Sequence, residues 1–214
     1  MSVQLAYAHS PLPHAVTQPA PRVEGRDRIY RGTFAEVWAL LPEFERTAFA
    51  LGPDDIVNRA LDTIVRCTDS VQGLPAVPVG VVPREAAMVT HRKVVDALRE
   101  AVASAGLDPA GAELEAVISA YGAKMALSVI LPDAFYPPGD SRAVRLLCTN
   151  SVDCSTGPRI SADCCRIGRG TGIIPGKTRP QPEPWDREGF SIQAVRALLM
   201  QALREGGSRF RTAA

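Results

Sequence analysis

The feature that most constrains the fold is an alternation of apolar and polar residues between positions 113 and 167. In the segment 124–131, KMALSVIL, every second residue is large and apolar, and Pro132 ends the run. Residues 144–148 and 160–164 repeat the alternation. A period of two residues predicts strands that bury one face. Because short turns join the three strands, they predict an antiparallel meander.

The segment before these strands fits two structures. Asp108, Pro109 and Gly122 stand where a helix N-cap, a first helical turn and a C-terminal stop are expected. In the same segment every second residue from Leu114 to Ala120 is apolar, which is typical of a strand. Periodicity alone leaves both interpretations open.

Three stretches have the apolar spacing of amphipathic helices: 33–41, a segment that begins at Arg84 or His91 and ends at Ala105, and 191–205. The first has Thr33 as N-cap and Glu36 three residues later, which is a capping box. Glycine directly follows the second and supplies a C-terminal stop. We expect a further short helix after Pro53, because proline and the acidic pair behind it suit a helix N-terminus.

A chain of 214 residues is most simply one domain with tails. Residues 1–24 are rich in proline and predict a disordered arm. Residues 25–77 form a helical and extended N-terminal segment, 78–206 the core of the same domain, and 207–214 a tail. The segments 61–68 and 79–82 are further strand candidates, the second at a sheet edge because prolines flank it. The predicted fold class is α+β, an antiparallel β-meander packed against two or three helices.

Composition limits the partners of the chain. The 24 basic and 23 acidic residues leave a net charge of +1, so a nucleic-acid surface has to be a local patch. No run approaches the roughly 20 apolar residues that span a bilayer, and we expect no membrane partner. The N-terminus lacks the apolar segment of a secretory signal. An odd number of cysteines, five, predicts reduced thiols and a cytoplasmic protein.

Two cofactor motifs are incomplete. Residues 176–178, Gly-Lys-Thr, end like a phosphate-binding loop, but Thr171 stands where that loop needs a glycine, and prolines replace the helix that should follow. Four of the cysteines are clustered, at spacings of six, ten and one residues: Cys148, Cys154, Cys164 and Cys165. Zinc sites pair their ligands at two to four residues. We therefore expect no metal ion and no cofactor.

A short polar loop separates the last two strands of the predicted meander; its residues are Asn150, Ser151, Asp153, Ser155 and Thr156. Such side chains often bond to their own backbone in turns. Alternatively they form a ligand-binding surface, and Asp153 with His91 would then act as acid and base. No catalytic residue is assigned.

Basic residues flank this loop: Arg145, Arg159, Arg166, Arg169 and Lys177. A guanidinium group makes bidentate contacts with phosphate. These residues are therefore the candidate contacts for nucleic acid, although aromatic residues for base stacking are scarce nearby.

Four pieces of the chain, in order, carry a family resemblance. Residues 78–82 with His91 correspond to a "PVGVVS…Y.LV.H" motif, 121–132 to "YG.RM…V.LP", 150–155 to "NS.DGS" and 166–172 to "R…C.NG". The chain thereby resembles a family of phages and plasmids, the domain of unknown function 932. The resemblance implies a mobile-element context and no established activity.

The resemblance has further implications for structure. It favours a strand at 113–120 that forms a hairpin with 124–131 through a turn at Tyr121–Gly122. The chain departs from the motifs at Cys154, where the family has glycine, and at Arg169 and Thr171, where it has cysteine and asparagine.

Three hypotheses of function follow. The first is a non-enzymatic protein that associates with nucleic acid, single strands in particular. The second is an enzyme that uses the polar loop with His91. The third is an assembly module without chemistry, which forms a homo-oligomer through a sheet edge or the terminal helix.

Overall fold

The computed structural model describes residues 26–51, 56–70, 72–131, 142–156, 159–167, 173–175 and 183–184. The fold is α+β with antiparallel sheets, which confirms the predicted fold class. The arm 1–24, the predicted helix 191–205 and the tail 207–214 lie outside the described residues.

In chain order the elements are β1 (Arg28–Gly32), α1 (Phe34–Leu40), β2 (Phe44–Leu51), β3 (Ile56–Arg66), β4 (Val77–Pro83), α2 (His91–Ser104), a 3-10 turn (Pro109–Gly111), β5 (Glu113–Ile118), β6 (Lys124–Leu131), β7 (Arg142–Ser151), β8 (Arg159–Ile167), β9 (Ile173–Pro175) and β10 (Glu183–Pro184). The larger sheet has the order β1-β5-β6-β7-β8-β10, and β9 also pairs with β8. The smaller sheet has the order β2-β3-β4.

The strands β5 to β8 are consecutive in the chain and antiparallel neighbours in the larger sheet. This arrangement confirms the predicted meander. The N-terminal strand β1 pairs with β5, with Tyr30 opposite Ala116. A segment far from the meander in sequence therefore forms one edge of its sheet.

In the ambiguous segment before β6 the strand interpretation is right, and the helix interpretation is wrong from residue 113 onward. Asp108 caps a single 3-10 turn, and the strand β5 follows directly. Leu114, Ala116 and Ile118 are buried in the core, so their alternation was the signal for the strand. The turn into β6 contains Gly122 with φ of 85°, a conformation that glycine adopts without steric cost.

The local helix signals are confirmed at α1 and α2. Thr33 and Glu36 form the capping box, with the Thr33 amide 2.8 Å from the Glu36 carboxylate. The helix α2 begins at His91 and is followed by Gly106 with φ of 79°. The prediction of a helix after Pro53 is wrong from residue 56 onward, because residues 56–66 form strand β3, which pairs with β2. Pairing with a neighbouring strand overrides a weak local preference.

The main core lies between the larger sheet and the two helices. Val94, Leu98 and Ala101 of α2 belong to the same buried cluster as Leu127 of β6 and Leu146 of β7. A second buried cluster lies under the smaller sheet and contains Ile64, Val82, Ala123 and Val152. Since Ala123 and Val152 belong to the turns next to β6 and β7, these turns connect the two sheets. The strand β4 is an edge strand, as its prolines predicted.

Candidate functional site

Three of the motif segments meet at the buried side chain of His91. Its Nε2 lies 2.8 Å from the carbonyl oxygen of Gly122, and its Nδ1 lies 3.0 Å from Nδ2 of Asn150. Asn150 also donates to the carbonyl of Val89 at 2.9 Å. Because Nδ1 has to accept from the amide, the imidazole is neutral and Nε2 donates its proton to Gly122. We call these residues the His91 junction: His91, Asn150, Gly122 and Val89.

The His91 junction is sealed from solvent. His91 is 0% exposed, and the ring of Phe44 packs edge-on against it at 5.6 Å. Burial lowers the pKa of His91 to about 4, although the hydrogen bond to Gly122 and the charge of Asp153 act in the opposite direction. A neutral side chain with both nitrogens occupied joins α2 to the β5–β6 turn and to the end of β7. This geometry gives no support to a general acid–base role for His91.

The polar loop bonds mainly to itself. Ser151 Oγ donates to Asp153 Oδ1, the amide of Ser155 donates to the same oxygen at 3.0 Å, and the two serine hydroxyls lie 2.9 Å apart. Burial acts to raise the pKa of Asp153, but these hydrogen bonds and the charge of Lys124 outweigh it and lower that pKa. The first of the two sequence interpretations, a loop closed by its own turns, therefore describes this segment.

The loop also docks against the smaller sheet. A Cβ atom at Gly80 would lie 2.7 Å from Cβ of Asp153, so β4 needs a glycine there. Val152 is fully buried, and its amide donates to Ala123 at 2.9 Å. Cys154 has φ of 57°, a left-handed conformation that favours glycine. This is the position at which the family motif has glycine.

The predicted arginine cluster is only partly described. Arg145 and Arg159 lie on the face of the larger sheet opposite to α2, because Leu146 and Ile160, their neighbours in β7 and β8, face the helices. Arg145 pairs in register with Asp163, and Arg159 with Thr149, four residues farther along β7 than Arg145. That offset is about 13 Å. The two arginines share a face but do not form a cluster.

The other three basic residues give less information. The backbone of Arg166 lies opposite that of Arg142 in the register of β7 and β8. The structure does not describe the side chain of Arg166. Arg169 and Lys177 lie outside the described residues.

One row of side chains crosses the face of the larger sheet opposite to α2, and we call it the cross-strand row: Ile29, Val117, Ala126, Thr149 and Arg159, paired in register from β1 to β8. The other end of this face is covered, because Ile130 and Ala143 are buried there. Four of the five are exposed, and Val117 is half-buried. Two cations flank the row, because Lys124 lies two residues before Ala126 and Arg31 two residues after Ile29. Arg31 pairs with Glu115 at 2.6 Å.

A cleft between the two sheets is not apparent from the sequence. Arg28 and Tyr30 of β1 line it together with Arg66 of β3 and two residues of the β3–β4 turn, Asp69 and Gln72. Tyr30 donates to Oε1 of Gln72 at 2.7 Å. The one feature of the sequence that could have indicated the cleft is Arg66. It lies two residues after the buried Ile64 and therefore on the inward face of β3.

The thiols with described side chains offer no reactive group at this cleft. Cys148 is buried in the main core, and burial raises its pKa to about 12. Cys67 and Cys154 are half-buried. Within the described ranges, no three histidine, cysteine, aspartate or glutamate residues lie close enough together to hold a metal ion.

Comparison of the chain with protein-family models, with curated proteins and with solved structures gives no match. No helix in the described part of the chain is long and apolar enough to cross a membrane.

Proposed function

We propose that the protein binds single-stranded nucleic acid, without a chemical step of its own, through the exposed part of the face of the larger sheet opposite to α2. The observation that supports this proposal is the cross-strand row with two exposed cations, Arg159 within it and Lys124 beside it. The row extends over five strands, which is about 19 Å at the usual strand spacing. The RRM, a module that binds single-stranded RNA, also uses the face of a β-sheet.

The chemistry of the row suits a polynucleotide. Arg159 and Lys124 are exposed at its β6–β8 end and offer cations to phosphates. Ile29, Val117 and Ala126 offer an apolar surface to sugars and bases. The row contains no aromatic side chain, so base stacking on it is weak. Binding is therefore expected to depend on phosphates and to discriminate little between sequences.

Salt dependence gives the first test. If two or three phosphates are neutralised, the logarithm of the binding constant falls with the logarithm of salt concentration at a slope of about −1.5 to −2. Fluorescence anisotropy with labelled oligo(dT) and oligo(rU), measured in a salt series, provides this slope. Absence of binding at about 50 mM salt overturns the proposal.

A pair of double variants tests the surface. Lys124→Gln with Arg159→Gln should weaken binding at least tenfold, as two phosphate contacts disappear. Lys93→Gln with Arg99→Gln removes the same charge from the exposed side of α2 and serves as the control. The control should change affinity less than twofold. Equal losses in both double variants contradict the assignment of the face.

A second candidate is homo-oligomeric assembly, which the end of the β2–β3 hairpin favours. Leu51, Ile56 and Val57 are 58%, 68% and 50% exposed there. Exposed apolar residues in one place often mark a protein interface. Size-exclusion chromatography with light scattering should show an oligomer that Val57→Asp dissociates, and a monomeric wild type contradicts this candidate. The mobile-element context remains a proposal that rests on the family resemblance.

A further inference from the structure

The guanidinium group of Arg66 is buried without a matching anion. Arg66 is 1% exposed. Its Nη2 donates to the carbonyl of Pro75 at 2.8 Å, and its Nε has no hydrogen-bond partner. Among the described residues, no carboxylate lies within the 4.0 Å that defines a salt bridge to it. A buried charge is costly unless it is paired and hydrogen-bonded, so this group has an unmet requirement for an anion.

A second cation approaches the same place. Arg28 lines the cleft with Arg66, and Nη1 of Arg28 lies 3.5 Å from Oε1 of Gln72. Burial lowers the pKa of Arg66 first, and the positive charge of Arg28 lowers it further. Among the described residues that line the cleft, Asp69 is the one acidic residue, and its Oδ1 accepts from the amide of Gln72 at 2.9 Å. Two cations therefore face one carboxylate.

The size and walls of the cleft limit its ligand. The cleft is narrow, and its free volume of about 10 Å³ holds about one water-sized group. Leu40, Leu74 and Ile118 form apolar walls. The hydroxyl of Tyr30 and the amide of Gln72 are the neutral polar groups beside the two arginines. A phosphate therefore fits only when half-buried side chains that line the cleft, such as Arg28, Tyr30 and Gln72, move apart.

We propose that this cleft, which we call the Arg66 cleft, binds a phosphate group that is free or terminal, as in inorganic phosphate or a nucleotide monophosphate. Such a group carries about −1.5 to −2 charges at pH 7 and accepts several hydrogen bonds. It matches two guanidinium groups that are only partly offset by Asp69. The cleft lies on the helix side of the larger sheet, because Arg28 and Tyr30 are in register with Ile118 and Ala116 of the main core. It is thus distinct from the cross-strand row.

Thermal unfolding of the full chain tests the proposal. Inorganic phosphate at ten times its dissociation constant should raise Tm by about 3–6 °C at constant ionic strength. Sodium chloride and sodium acetate should raise Tm less. Equal effects of the three salts overturn the proposal. Isothermal titration calorimetry with inorganic phosphate should give a saturable isotherm with one site.

Variants at the two arginines separate binding from folding. Arg28→Gln should weaken phosphate binding at least tenfold, and Arg66→Met should abolish the phosphate-dependent rise in Tm. Arg59→Gln, an exposed arginine on the same strand β3, removes one charge as a control and should leave binding unchanged. If Arg66 has only a structural role, Arg66→Met lowers Tm and leaves the response to phosphate intact, which overturns the proposal.

The source of the phosphate is resolved by three ligands: inorganic phosphate, a dinucleotide with a 5′-phosphate, and the same dinucleotide without it. Both phosphate-bearing ligands should compete for one site, and the tighter of them identifies the source. Equal binding of the unphosphorylated dinucleotide overturns the proposal. The double variant Lys124→Gln with Arg159→Gln should leave phosphate binding unchanged, so the cleft and the proposed nucleic-acid face can fail separately.

Discussion

The His91 junction and the Arg66 cleft each bury one basic side chain, and both lie against Gly122. His91 Nε2 bonds to the carbonyl of Gly122, while Cδ of Arg66 lies 3.1 Å from the position of a Cβ on this glycine. The two residues differ in how the free-energy cost of burying a polar group is offset. His91 is neutral and has both nitrogens paired, whereas Arg66 remains charged and makes one hydrogen bond among the described residues. Burial of a polar residue therefore does not by itself distinguish a structural link from a binding site.

The largest expected effect is at the His91 junction. His91→Ala removes a buried ring and leaves the carbonyl of Gly122 and the amide of Asn150 with one partner fewer. We expect the free energy of unfolding to fall by about 4 kcal/mol. Urea unfolding measures it, with Lys93→Ala on the exposed side of α2 as a control that should stay within about 0.5 kcal/mol. A variant as stable as the wild type shows that the junction is not a structural link.

Stability should depend on pH through the same residue. Folding lowers the pKa of His91 from 6.5 to about 4, so the unfolded chain binds its proton more readily. The contribution of neutral His91 to the free energy of unfolding is fully present above pH 6.5 and is lost as the pH falls toward 4. The loss is about 3 kcal/mol at most, at ~1.4 kcal/mol per pH unit. Urea unfolding at several pH values measures this slope, and His91→Gln should flatten it. If stability depends on pH as steeply in His91→Gln as in the wild type, another residue causes the dependence.

In phosphate-free buffer, Arg66→Met should not lower the free energy of unfolding, whereas His91→Ala should. Replacing an unpaired buried charge by an apolar side chain removes a desolvation cost, although the carbonyl of Pro75 loses its donor. We expect the free energy of unfolding to remain unchanged or to rise by up to about 2 kcal/mol. Urea unfolding without phosphate provides the measurement. A loss of more than about 1 kcal/mol removes the contrast between the two regions.

The smallest expected effect concerns Cys154, whose left-handed backbone belongs to the loop that follows Asn150. Cys154→Gly relieves the strain that a side chain causes there, and Cys154→Ala retains it. We expect the glycine variant to be about 1 kcal/mol more stable than the alanine variant in urea unfolding. Equal stabilities mean that contacts of the thiol, such as Sγ to the carbonyl of Ala87 at 3.7 Å, outweigh the backbone term.

Some elements were predictable to the residue because their signals are local. The segment 124–131 is β6 with the expected bounds, and Thr33 with Glu36 forms the expected capping box. A capping box uses residues three apart, and alternation uses neighbours two apart, so both are visible in the sequence. The helix expected after Pro53 shows the limit of such signals. Proline and two acidic residues suit a helix start, but β2 pairs with the residues that follow.

The candidate sites show the same limit. His91, Asn150 and Asp153 stand out in the sequence, but their roles are not visible there. The partners of His91 lie 31 and 59 residues away in the chain, so whether its nitrogens would be occupied was not visible. The Arg66 cleft was not predicted, because Arg28, Arg66 and Gln72 come from separate segments and acquire a common site only when the two sheets pack.

The sequence by itself determined the meander, the capped helices and the turn glycines, since each depends on residues a few positions apart. The tertiary structure alone decided which buried polar groups are satisfied. Hydrogen-bond partners and compensating charges come from distant segments, and tertiary packing decides whether they lie within bonding distance. It pairs both nitrogens of His91 and leaves the guanidinium of Arg66 with a single carbonyl and a neighbouring cation.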